Sequence, residues 1–197
     1  MMVDQPLAHA SAIRACKGEQ LSGDAVVIQA FDQDLFVAIV DVLGHGPEAN
    51  KLTHVIEAYL ARYAGPDVKG VMKRLHQHLN GTRGAAIGLC YVSGSTGRLD
   101  YAGIGNTTLR RFGQEETRLV SQDGVLGQNM RTPLLQTLRL EPGDLVLLYT
   151  DGVSDRFAAG DYPSLLRHAP SAVVKNIVER FGKDHDDAGC IALRYLA

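Results

Sequence analysis

Cysteine is scarce in this chain: only Cys16, Cys90 and Cys190 occur, odd in number, far apart and without a C-x-x-C pair. Neither a disulfide framework nor a zinc ribbon follows, and buried free thiols are expected. Clustered positive charge is also missing. Lys73-Arg74 and Arg110-Arg111 are the only adjacent basic pairs, and the formal net charge is −2. This is no footprint for nucleic acid or an anionic membrane, so a protein or small-molecule partner is expected, with no nucleic acid and no membrane. No apolar run approaches the roughly 18 residues of a membrane span, and the start lacks a basic stretch followed by an apolar core. The expected compartment is therefore the cytoplasm. No Pro/Ser-rich linker or low-complexity tract divides the 197 residues, of which 45% are apolar, so 1–197 reads as a single domain.

What is present is a succession of strand and helix signals. Segments 25–30 and 35–40 are short, rich in β-branched residues and joined by Phe31-Asp-Gln-Asp34, which predicts an antiparallel hairpin. The period then changes. Ala49, Leu52, Val55, Ile56, Tyr59, Leu60 and Tyr63 recur at three and four behind Gly46 and Pro47, and proline suits a first helical position. Val68, Val71, Met72, Leu75 and Leu79 repeat the pattern behind Asp67, a fair N-cap. Strand signals return at 85–92, 99–102, 107–112 and 118–120, separated by turn chemistry and most simply read as a meander. Segments 134–140 and 145–150 flank Glu141-Pro-Gly-Asp144, which suits a type II turn and predicts a hairpin leading into Asp151. Ser171 is expected to cap a helix carrying Val174, Ile177, Val178 and Phe181 and ending at Gly182, before a last strand at 190–195. This order predicts an α+β fold of two antiparallel sheets face to face, with helices outside.

Four acidic stretches lie beside these strands: Gly23-Asp24, D-V-L-G-H-G from Asp41 to Gly46, T-D-G from Thr150 to Gly152, and His185-Asp186-Asp187. A carboxylate at a buried strand end is costly unless a cation meets it, and several brought together form a cluster that metal ions neutralise most easily. Taken one by one, an Asp beside Gly is most often only a turn residue.

The segments S-G-D at 22–24, D-V-L-G-H-G at 41–46, L-E-P-G-D-L-V-L-L-Y-T-D-G-V at 140–153 and D-D-A at 186–188 resemble, in this order, the SpoIIE-like branch of the PP2C (PPM) serine/threonine phosphatases. The resemblance runs from about Gly23 to about Tyr195. Within that branch, G-I-G-N at 103–106, where many relatives carry A-G-H-N, and the absence of any sensor or coiled-coil segment make the chain most similar to the small stressosome phosphatases.

The resemblance implies an αββα sandwich and a site for two Mn²⁺ or Mg²⁺ ions. Asp41 corresponds to the bridging aspartate, the Val42 carbonyl to a further ligand, and Asp24, Asp151 and Asp186 to the remaining carboxylates. Asp187, Asn106 and Gly152 correspond to residues around that set. Oxygen ligands suit hard divalent ions, and a water shared by two of them is activated for in-line attack at phosphorus. His45 is the candidate general acid for the leaving seryl oxygen. Its alternatives are to cap the following helix or to meet a metal-held water. The other histidines are expected on solvated helix faces (His54, His76, His78, His168), in a mobile N-terminus (His9) or in a loop near the metals (His185). Arg14 is the only arginine before Asp24 able to stand for the phosphate-gripping arginine of larger animal-type members.

The implied function is dephosphorylation of a phosphorylated STAS-domain antagonist or stressosome-type regulatory protein in bacterial stress signalling, by an enzyme expected to be monomeric. A catalytically weak or inactive binding module of the same fold is the alternative. A two-metal nuclease is disfavoured by the lack of a basic groove.

Overall fold

The computed structural model describes residues 5–158, 160 and 163–197. In chain order the elements are β1 (Leu7–Arg14), β2 (Asp24–Phe31), β3 (Asp34–Val42), α1 (Gly46–Tyr63), α2 (Val68–His78), β4 (Ala85–Val92), β5 (Arg98–Ile104), β6 (Thr108–Phe112) and β7 (Glu116–Val120). There follow β8 (Gln136–Arg139), β9 (Leu145–Tyr149), α3 (Pro163–Arg167), α4 (Pro170–Phe181) and β10 (Ala188–Tyr195). Two five-stranded antiparallel sheets result, a first of order β1-β10-β9-β6-β7 and a second of order β2-β3-β4-β5-β8.

Three apolar layers hold the sandwich together, and strand alternation assigns residues to them. On β3, Phe36, Ala38, Val40 and Val42 face α1 and α2, packing with Ile56, Leu60, Met72 and Leu75. Leu35, Val37 and Ile39 face the other sheet instead, against Leu148, Ile191 and Leu193. On β9 and β10, Leu147, Tyr149, Cys190 and Ala192 face outward and are covered by Val174, Ile177 and Val178 of α4. A period of two therefore separates an inter-sheet face from a helix face on each central strand. At roughly 1.5–3 kcal/mol per large buried apolar side chain, these layers are what holds the strand ends in place.

Several expectations hold. The first hairpin turns through Asp32 and Gln33, with Asp32 at φ 55°, a left-handed position that aspartate tolerates. Asp67 caps α2 by accepting from the Gly70 N–H at 2.9 Å. All three cysteines are free and buried.

Other expectations are overturned. The meander does not form, because β5 belongs to the second sheet and β6 to the first. The Glu141–Asp144 turn is present, with an Asp144 N–H to Glu141 carbonyl bond of 2.9 Å and Gly143 at φ 92°. Yet it joins strands of opposite sheets, so β8 and β9 make a corner and not a hairpin. α4 begins at Pro170 with Ala169 at its N-cap, two residues ahead of Ser171. His9 sits in β1, opposite Leu193, and not in a mobile segment. His54 and His78 are exposed on helix faces as expected, whereas His168 is exposed but lies beyond α3, and half-buried His76 accepts from the Gly127 N–H at 3.0 Å.

Candidate metal centre

The same alternation that builds the core delivers the acidic residues. Asp41 continues the parity of Leu35, Val37 and Ile39, and Asp24 that of Val26 and Ile28, so both carboxyls emerge on the inter-sheet face. They stand directly opposite each other in the β2–β3 register. Thr150 likewise continues the parity of Val146 and Leu148, and its hydroxyl donates to Asp24 Oδ2 at 2.6 Å across the two sheets. Asp151 follows immediately and faces Asp41 within hydrogen-bonding range. Asp186 joins from the turn before β10, with its Oδ1 accepting from the Asp187 N–H at 3.0 Å.

The energetics of this cluster are unfavourable as it stands. Burial, then the neighbouring Asp41, hold the Asp24 carboxyl well above the usual carboxylate range. Burial, then Asp151 and Asp186, push Asp41 up to about 7. Burial, then Asp151, raise Asp186. Lys183, the cation that acts on this group, donates its ammonium to the Asp151 carbonyl at 2.5 Å, and so braces the loop without meeting a carboxylate directly. Among the described residues no three His, Cys, Asp or Glu side chains close into a single cage; Asp24 is buried, and Asp41, Asp151 and Asp186 are half-buried. An all-oxygen, uncompensated donor set of this kind fits hard divalent cations and not zinc or copper.

The residues around this set act on position. Asp187 is buried, and both its oxygens are occupied: Oδ1 accepts from the Cys16 N–H at 2.8 Å and Oδ2 from the Gly23 N–H at 2.7 Å. It thereby ties the segment before β2 to the turn carrying Asp186. Gly152 is required by space, since a Cβ there would run into the Asp187 carbonyl. Asn106 donates from Nδ2 to Asp151 Oδ2 at 2.6 Å. Val42 closes β3, with its N–H held by the Gly23 carbonyl at 3.1 Å.

His45 stands between two glycines at positive φ, Gly44 at 87° and Gly46 at 72°, a turn that other residues would adopt only under strain. It occupies the N-cap of α1 but makes no side-chain cap bond. Its Nδ1 lies 3.0 Å from Glu19 Oε1 instead, and its side chain is 62% exposed, available to a bound substrate. Arg14 is turned away from phosphate gripping: its guanidinium donates to the Lys183 carbonyl at 2.5 Å and lies 3.6 Å from Asp184.

Glu19, Thr150 and Lys183 have no place in the expectations drawn from sequence. Thr150 had a signal, because it sits two residues beyond Leu148 on the same strand face. Glu19 had none, since it reaches His45 only through the folded loop.

Two stacked antiparallel sheets flanked by helices, with carboxylates gathered at one end between them, define the PP2C class of protein serine/threonine phosphatases. The family model for stage II sporulation protein E (SpoIIE) matches residues 32–196, and the chain belongs to this metal-dependent, PP2C-type family. It is 26% identical over 140 residues to the phosphoserine phosphatase RsbX of Bacillus subtilis (strain 168), covering 70% of each chain. It is also similar to a chain solved in work on the bacterial stressosome and secondary messenger signalling, with TM-score 0.88 and 27% identity over 95% of this chain and 99% of that one. RsbX in complex with magnesium shares the fold, with TM-score 0.82 and 22% identity over 95% and 94% of the two chains.

Proposed function

We propose that this chain is an active phosphoserine/phosphothreonine protein phosphatase acting on a phosphorylated STAS-domain or stressosome-type regulatory protein. Asp24, Asp41, Asp151 and Asp186, with the Val42 carbonyl, are the residues that would hold two Mn²⁺ or Mg²⁺ ions. The observation that carries the reading is the Asp41 carboxyl, pushed up to about 7 by burial and then by the charge of the facing Asp151. When bound, two such ions supply positive charge for the phosphoryl oxygens and an acidified water for in-line displacement.

The chain's own residues supply the rest. Asn106 orients Asp151 through its 2.6 Å bond, and Thr150 fixes the rotamer of Asp24. Asp187 and Lys183 hold the two loops that carry Asp24 and Asp151. His45, exposed and held by Glu19, would donate a proton to the departing seryl oxygen. The likeness to RsbX and to the stressosome-related structure supports the substrate class.

Phosphate release from a phosphorylated STAS-domain protein, measured with Mn²⁺ and with chelator, tests this. Metal-dependent release is expected. Tight binding of the phosphoprotein with no release under either condition would favour an inactive binding module.

A further inference from the structure

Beside Asp151 the surface opens into a cavity of about 760 Å³. It lies where Thr108, Tyr149 and Val120 align across β6, β9 and β7, on the outer face of the first sheet. α4 packs against β1 and β10 and leaves this end of the face to the loop after Asp151. The size suits a short stretch of polypeptide. One end of the cavity is lined by Asp151, a member of the candidate metal centre, and by Asn106, which holds it.

The charge on its wall is mostly committed. Arg118 is held by Asp155 at 2.8 Å and donates to the Thr108 hydroxyl at 3.2 Å, and Lys183 is bound to the Asp151 carbonyl. Arg156 differs. Its backbone N–H donates to Ser154 Oγ at 3.4 Å, while its guanidinium meets no partner among the described residues. Both neighbours of Arg156 are nevertheless anchored. Asp155 accepts from the Tyr149 hydroxyl. The Phe157 carbonyl accepts from buried Arg110 at 2.9 Å, and the Arg110 guanidinium lies 4.6 Å from the Phe157 ring centre and 4.7 Å from that of Phe112. The fold thus displays, from a braced loop, a guanidinium with no partner among the described residues, over a groove that reaches Asp151. A guanidinium so placed is preorganised for a carboxylate.

We propose that this groove seats the polypeptide flanking the target phosphoserine and that Arg156 recognises an acidic side chain on it. The proposal rests on the phosphatase reading above and adds that the enzyme prefers acidic flanks. Two phosphoserine peptides, identical except for glutamates or lysines beside the phosphoserine and made with the charges on either side, provide the test with the full chain and Mn²⁺.

The wild type should turn over the glutamate peptide with kcat/KM about fivefold higher than the lysine peptide, as for one partly exposed charge pair, and the ratio should fall with added salt. Arg156→Glu should reverse the ratio. A wild type indifferent to flank charge, or a preference that survives Arg156→Glu, overturns the proposal. So would an equal loss on both peptides and on p-nitrophenyl phosphate, which would place Arg156 on the phosphoryl group. If the wild type hydrolyses no phosphate ester at all, the phosphatase reading fails. Fluorescence anisotropy of the same peptides then still decides whether the groove binds acidic flanks more tightly.

Discussion

Removing the divalent ion should make the protein's stability fall as pH rises, and replacing Asp41 by asparagine should cancel much of that fall. In the metal-free fold Asp41 keeps its proton up to about pH 7, whereas in the unfolded chain it releases it near pH 4. Between those values the folded state binds more protons than the unfolded one, so stability declines with pH. The contribution of the protonated form is complete below about pH 4 and lost as pH passes about 7. Each pKa unit is worth about 1.4 kcal/mol, so Asp41 alone accounts for about 4 kcal/mol at pH 8, or about 10 °C in Tm for a chain of this size. Asp24 and Asp186 are raised too and act in the same direction. Thermal denaturation of wild type and Asp41→Asn in chelator, from pH 4.5 to 8, isolates the effect as a difference between the two. The curves should nearly coincide at acid pH, and at pH 8 Asp41→Asn should be the more stable protein. Millimolar Mn²⁺ should restore the wild type and do little for the variant. A metal-free wild type with pH-independent Tm, or an Asp41→Asn variant less stable at pH 8, would refute the claim that these carboxyls repel one another in an unfilled cation site.

In steady-state assays Asp41→Asn and Asp151→Asn should each lose well over tenfold in turnover, the several kcal/mol of barrier expected when a metal ligand goes, with circular dichroism unchanged. His45→Ala should slow phosphoserine substrates about a hundredfold yet barely touch p-nitrophenyl phosphate, whose leaving group needs no proton. Equal losses on both would assign His45 a positional role. Asp187→Ala leaves the buried N–H groups of Cys16 and Gly23 without acceptors and should cost about 2–4 kcal/mol in urea denaturation. A change under 1 kcal/mol would mean that water replaces the carboxylate.

Much of the candidate site was legible because it lies where strands end. The alternation of β3 is written in residues 35–42, and extending it places Asp41 on the inner face without reference to any other part of the chain. The T-D-G and D-V-L-G-H-G segments carry their turn chemistry locally, in Gly44, Gly46 and the crowded Gly152. β1 was not legible. Its alternating residues are small or polar, and only pairing with β10 along its whole length gives it a place.

What the amino-acid sequence determined by itself was the local order of strands and helices, the faces of each and the identity of the acidic residues. These depend on periods of two and 3.6 and on turn residues, which act over a few positions. Only the tertiary structure decided which sheet each strand joins. The chain crosses between sheets four times, twice through the short connections Gly105 to Thr107 and Glu141 to Asp144, and turn chemistry alone does not distinguish a hairpin from such a corner. The contacts that depend on that choice follow from it: Thr150 with Asp24, Asp187 with Cys16 and Gly23, Glu19 with His45, and the groove beneath Arg156. Each joins residues far apart in the chain, and burial of apolar surface between two whole sheets, not any local preference, sets their distances.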